Sequence, residues 1–176
     1  MVAPHPRIVD LLVATLGPLQ LAVRSHQGPM ERVIDAIEDL VHWVRSQPGT
    51  AEEVRYFQIF HNDPRMTPPD DYRTDICAAF AGEIAPNAYG VTGMTLPAMA
   101  CVRCRCRGPH EALPPILREA LPAWFAANGE RRRPPLGIWE YVVSLPPPSL
   151  RCDETPAMDP ADFVTDCYTP LATDET

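Results

Sequence analysis

The chain contains no lysine: all 15 of its basic residues are arginines, in a sequence of 176 residues. Schiff-base chemistry and phosphate cradling by a P-loop both need a lysine amine, so both are excluded. Long apolar runs are missing as well, and nothing approaches the roughly 18–20 residues that span a bilayer. The opening residues, MVAPHPRIVD, lack the basic-then-apolar order of a secretory signal. These absences predict a cytoplasmic protein with no membrane partner. Positive charge is scarce too. A net charge of −8 argues against general nucleic-acid binding, which needs a basic face toward the phosphates. Arginines do cluster between Arg103 and Arg133, and that cluster reads as solvated strand and loop positions.

A second C-x-x-C is also absent. The stretch CVRCRC brings Cys101, Cys104 and Cys106 close together, while Cys77, Cys152 and Cys167 stand alone. If residues 98–107 form a strand, Cys104 and Cys106 face one side and Cys101 the other. Ligands on two faces make a poor tetrahedral site. All six cysteines are therefore expected to be reduced and metal-free, and nothing in the sequence calls for a cofactor.

What is present suits a globular chain, with 45% hydrophobic and 22% charged residues and enough length to bury a core. Its strongest internal signal is a near-repeat. HQGPMERVIDAIEDLVHW (26–43) is echoed by CRGPHEALPPILREALPAW (106–124), with Gly28-Pro29 and Gly108-Pro109 at an offset of 80. YFQIFHNDP (56–64) lines up with IWEYVVSLP (138–146) at an offset of 82. PDDYRTDICAAF (69–80) lines up with PADFVTDCYTPL (160–171) at 91. The matches keep their order, so residues 8–81 and 89–171 read as two copies of one unit in a single domain spanning 1–176.

Within the unit, residues 8–15 and 19–26 alternate around Gly17-Pro18, which predicts a β-hairpin. Val33, Ile34, Ile37, Leu40, Val41 and Val44 recur at helical spacing over 30–46. Strands follow at 54–61 and 73–81. The second copy repeats this with strands at 89–95 and 98–107, a helix at 112–127, and strands at 137–145 and 163–171. Pro122 removes a backbone bond to Arg118, so a kink or break is expected there. The fold class is thus α+β: two β-α-β-β repeats about a pseudo-twofold, sharing an antiparallel sheet. Both helices lie on one face, and the other face is left concave for a ligand.

One carboxylate stands out. Glu140 lies among Ile138, Trp139, Tyr141, Val142 and Val143, where burial is costly without a hydrogen bond or a cation. At an offset of 82 it takes the place of Gln58. Period-2 alternation then sets Ile138, Glu140 and Val142 on one face, with Tyr56, Gln58 and Phe60 on the equivalent face. Trp43 and Trp124 lie on the apolar sides of their helices, where Trp124 can also floor a pocket. Tyr168 is a candidate for the pocket wall. Either Glu140 turns out to water at a sheet edge, or it sits in a pocket and meets a cationic or polar ligand with aromatics nearby, and in the pocket it is expected to have no standing Arg partner.

The GPxE helix start, the NDP…TPP…YRTD run at 62–75 and the FVTDCYTPL ending at 163–171 resemble the DNA gyrase inhibitor-like (GyrI-like) domain. That domain is also the effector-binding domain of AraC-type and multidrug-sensing regulators. The resemblance implies two β-α-β-β halves with a pocket on the concave face and a central Glu, matching Glu140, that binds lipophilic cations in drug-sensing members. Val142 stands where the family often has Tyr. The two halves use up the chain, leaving no room for a helix-turn-helix, so no direct DNA binding is expected. The implied function is a stand-alone protein binding hydrophobic or cationic small molecules through Glu140, Gln58, Tyr56, Phe60, Val142, Trp124 and Tyr168. The alternatives are a hydrolase of a reactive, cyclopropane-type small molecule using Glu140, or a protein acting on gyrase.

Overall fold

The computed structural model describes residues 6–48, 54–133, 137–144 and 158–172. Eight strands form one antiparallel sheet: β1 (Arg7–Leu16), β2 (Leu19–Gln27), β3 (Tyr56–Phe60), β4 (Arg73–Ala79), β5 (Thr92–Leu96), β6 (Met99–Arg107), β7 (Gly137–Val143) and β8 (Val164–Pro170). Helix α1 (Val33–Ser46) follows β2, and α2 (Leu113–Asn128) follows β6. The strand order is β1-β6-β8-β7-β3-β4-β2-β5. Exchanging each strand with the one four places later reverses this order onto itself, as a twofold axis between β3 and β7 requires.

Equivalent backbone bonds repeat as well. Gly28 N–H donates to Tyr72 O at 3.0 Å and Gly108 N–H to Phe163 O at 2.9 Å. Both glycines hold φ near +128° (127° and 129°), a region that disfavours any side chain and explains why Gly-Pro recurs at both helix entrances. The prolines then set φ for the short turn that leads into each helix.

The sequence predicts a hairpin from β1 and β2, and this is corrected. β1 pairs with β6, whereas β2 pairs with β4 and β5. Gly17-Pro18 reverses the chain but cannot choose its partner. Each half instead lends its first strand to the second strand of the other half. The consequence is geometric: Gly17-Pro18 joins an edge strand, β1, to β2 near the opposite edge, and the link between β5 and β6 mirrors it. Leu16 and Leu19 are three residues apart, a reach of about 11 Å at most, so the ends of the sheet are drawn together and the sheet curls. Gly17 serves the crossing directly, since a Cβ there would meet Pro97 O at 3.0 Å and its φ is +84°.

Curling fills one end of the concave face. Leu16, Leu21, Val23, Phe57, Ile59, Cys77, Leu96, Cys101, Ile138 and Tyr168, drawn from all eight strands, make one buried cluster. The opposite face carries both helices. α1 buries Val33, Ala36, Leu40, Trp43 and Val44 against Ala22, Tyr72, Ile76 and Ala78. α2 buries Leu113 and Leu117 on Cys104, Cys106 and Cys167. Pro122 does not break α2. It lies on the exposed side with Arg118, where water can satisfy the carbonyl left without its N–H partner.

Cys77, Cys101, Cys104, Cys106 and Cys167 are free and buried; Cys152 lies outside the described residues. Burial pushes the Cys101 thiol up to about 11. A neighbouring thiol, Cys106, whose sulfur is 3.7 Å away, raises Cys104 beyond the range of ordinary titration. The thiolate is the reactive form. All five are also buried out of reach of reagent, so they should resist iodoacetamide in the native protein up to about pH 9 and react fully once it is unfolded, as mapped by mass spectrometry. Fast native labelling at Cys104, Cys106 or Cys167 would show that the sheet opens beneath α2, and at Cys77 or Cys101 that the concave cluster opens.

Candidate ligand-binding site

Residues directly opposite on neighbouring strands share a face, so the pairing registers define both surfaces of the sheet. One row on the concave face runs Asp10, Arg105, Asp166, Glu140, Phe57, Cys77, Val23. The next runs Leu12, Arg103, Tyr168, Ile138, Ile59, Asp75, Ser25. The half containing β6–β8 thus brings charge to the concave face, where the half containing β2–β4 brings mostly apolar groups.

These rows correct the alignment of β3 with β7. Val23 faces Cys77, which faces Phe57; the equivalent Arg103 faces Tyr168, which faces Ile138. Phe57 therefore corresponds to Ile138 and Ile59 to Glu140, an offset of 81 in place of 82. One residue of slip sends every side chain to the other face. Gln58, Tyr56 and Phe60 accordingly lie beneath the helices, away from Glu140. Gln58 accepts from Tyr141 Oη at 2.5 Å and donates to Thr74 Oγ1 at 3.1 Å. Phe60 packs edge-on against Trp139. Trp124 packs beside Phe125 on the α2 side, and Val142 is exposed at the irregularity between Tyr141 and Val143. Of the seven candidate site residues, Glu140 and Tyr168 are brought together.

Glu140 is buried, and it has a standing arginine partner, contrary to expectation. Arg55 Nε donates to Oε1 at 2.7 Å and Arg55 Nη2 to Oε2 at 3.1 Å. Tyr168 Oη donates to Oε2 at 3.0 Å. The Arg55 guanidinium also lies 5.1 Å from the centre of the Phe57 ring. The reason is the cost of an unpaired carboxylate in an apolar wall. Pairing with Glu140 raises the Arg55 pKa. Burial, followed by the nearby Glu140 charge, raises that of Tyr168.

Next to Glu140, Asp166 accepts from Arg105 Nε at 2.7 Å and Nη2 at 2.6 Å. Arg103 reaches Asp10 at 3.1 Å and Arg107 pairs with Asp162. Arg103, Arg105 and Arg107 are thus committed to carboxylates, where the sequence suggested solvated charges. On the other half, His61 Nε2 lies 2.7 Å from Asp75 Oδ2. The concave face therefore carries a rim of charge pairs beside an apolar cluster in which Phe57, Ile59 and Ile138 are already buried. A separate shallow cleft of about 190 Å³ lies over β2 and β5, bordered by Leu21, Phe80, Ile84 and Met94, and carries no charged side chain. Among the described residues no cluster of His, Cys, Asp or Glu could hold a metal ion, and no helix is long and apolar enough to cross a membrane.

Residues 13–153 match the GyrI-like small molecule binding domain. The chain belongs to this family. It is 22% identical over 136 residues to a probable transcriptional regulator of Escherichia coli, YgiV, covering 76% of this chain and 84% of that one. The C-terminal domain of EcmrR superposes with a TM-score of 0.69 at 14% identity, covering 93% of this chain and 98% of that domain. Against the EcmrR chain seen in a complex with DNA, this chain spans 57% of the length. SAV2435, solved bound to tetraphenylphosphonium, superposes with a TM-score of 0.53 at 9% identity, covering 93% of this chain and 94% of that one.

Proposed function

We propose that this GyrI-like domain binds lipophilic small molecules, cations among them, using the rim of the concave face around Glu140. The observation that carries the proposal is one buried carboxylate set between a phenol, Tyr168, and an aromatic ring, Phe57. A cation placed there gains charge attraction from Glu140 and a quadrupole contact from the ring, with its apolar substituents against the edge of the buried cluster. That a protein of the same fold is known with tetraphenylphosphonium bound supports this choice of ligand class. The role is sensing or sequestration of such compounds.

Hydrolysis fits the same residues less well. Tyr168, the aromatic hydroxyl beside Glu140, has its pKa raised by burial and by that carboxylate. It is therefore a poor proton donor near neutrality. The pair is suited to holding a ligand more than to moving a proton. The test is calorimetric titration of the protein with tetraphenylphosphonium and with neutral triphenylphosphine oxide. Saturable binding of one cation per chain is expected, tighter than the neutral compound. Absence of saturable binding by either compound would overturn the proposal.

A further inference from the structure

Arg55 already occupies the place that a cationic ligand needs. Its guanidinium touches Glu140 through two hydrogen bonds and lies over Phe57. These are the carboxylate and the ring that would recognise an incoming cation. From this juxtaposition we infer that Arg55 is a resident counter-ion, which a cationic ligand must displace from Glu140 before it can bind. The inference rests on the proposed function.

The pair is built unevenly. The Glu140 side chain is 10% exposed and that of Arg55 50%. Glu140 is fixed within β7, between Phe57 on β3 and Asp166 on β8. Arg55 precedes β3, and only its backbone is tied to the sheet, its carbonyl accepting from Ala79 N–H at 2.9 Å. Rotating the Arg55 side chain outward returns the guanidinium to water and requires no strand to move. Rotating Glu140 would break into the sheet. Exchange therefore proceeds by departure of Arg55 while the carboxylate stays in place.

The neighbouring pair shows the contrast. Asp166 and Arg105 are both strand residues in register, and their side chains are 3% and 35% exposed. Arg105 is held the more tightly of the two arginines, being less exposed and bound to the more buried acid.

A resident competitor reduces apparent affinity by the fraction of molecules in which the site is free. It also sets selectivity. A small hydrated cation offers Glu140 nothing that Arg55 does not already supply. A cation bearing aromatic or aliphatic bulk adds apolar contact with the Phe57 ring that Arg55 uncovers, and that surplus drives the exchange. Arg55 thereby restricts the site to lipophilic cations.

The test is titration of tetraphenylphosphonium at pH 8 into the parent, Arg55→Ala and Arg55→Gln, with circular dichroism confirming that each variant is folded. Both variants should bind about 2–5-fold more tightly than the parent, the range expected for removing a half-exposed pair. Methylguanidinium at millimolar concentration should weaken binding to Arg55→Ala and leave the parent unchanged. If the parent and both variants bind the cation equally, Arg55 is not a competitor, and the binding function stands without it. Binding lost in both folded variants would make Arg55 part of the ligand's support and overturn the inference. Failure of all three proteins to bind would remove the inference together with the function it rests on.

Discussion

Asp166→Asn should lower the unfolding free energy by about 3 kcal/mol, the low end of the range for stripping one partner from a buried ion pair. The carboxylate is 3% exposed and takes both of its strong hydrogen bonds from Arg105. Asparagine keeps the shape but offers a single neutral acceptor, and Arg105 retains a charge whose elevated pKa reflects chiefly the bonds to Asp166. Two features hold the figure down. Arg105 is 35% exposed, so water recovers part of its charge. Asp166 is also the direct cross-strand neighbour of Glu140, and removing one of two facing carboxylates relieves repulsion. Urea unfolding should show a lower midpoint with an unchanged slope. The double variant Asp166→Asn, Arg105→Met should recover at least half of the loss, because no buried charge is then left alone. A single-variant loss below about 0.5 kcal/mol would mean that the pair is screened like a surface one.

Much of this architecture is written in the periodicity. α1 announces itself because Val33, Ala36, Leu40 and Val44 fall on one side, and that side is buried. The Gly-Pro entrances repeat because both glycines need the same unusual φ. The two helices share a sheet face, and the eight strands form one antiparallel sheet. Strand partners were less legible. The Gly17-Pro18 turn carries no information on whether β1 pairs with β2 or with a strand 80 residues away, and the distant pairing won because it lets all eight strands close over one apolar cluster.

The site was half legible for a related reason. Glu140 could be found as a carboxylate in an apolar strand, yet its companions depended on parity. Aligning aromatic Phe57 with aromatic Trp139 looked natural, but the ladder equates Phe57 with Ile138. That single residue exchanged Phe57 and Ile59 for Tyr56, Gln58 and Phe60. Cross-strand logic offered a remedy, since matching the TD pairs Thr74-Asp75 and Thr165-Asp166 and carrying their registers to β3 and β7 fixes the parity. Arg55 gave no sequence signal. It falls just before the matched stretch 56–64, and only the three-dimensional closeness of β3 and β7 brings it to Glu140.

Glu140→Gln should cost the protein about 10- to 100-fold in tetraphenylphosphonium affinity, taking about 1–3 kcal/mol for a charge-assisted contact as the scale. Binding of triphenylphosphine oxide should change by less than about twofold, since it carries no net charge for Glu140 to attract. The substitution is conservative in shape, and a glutamine oxygen can still accept from Tyr168 Oη, which now donates to Oε2 at 3.0 Å. Its effect on folding should be small beside that of Asp166→Asn, because the partner it abandons is half in water: Arg55 is 50% exposed. Loss of cation binding without loss of stability is the signature that separates an anchor from a structural charge. The parent alone will understate that anchor, because Arg55 competes there for the same carboxylate. Repeating Glu140→Gln in the Arg55→Ala background removes the competitor, so the fold-loss should grow by about the factor that Arg55→Ala gains by itself, a coupling that a double-mutant cycle reads directly. Equal losses in both backgrounds would separate the two residues energetically, and a Glu140→Gln protein that binds the cation as the parent does would place the ligand somewhere other than this carboxylate.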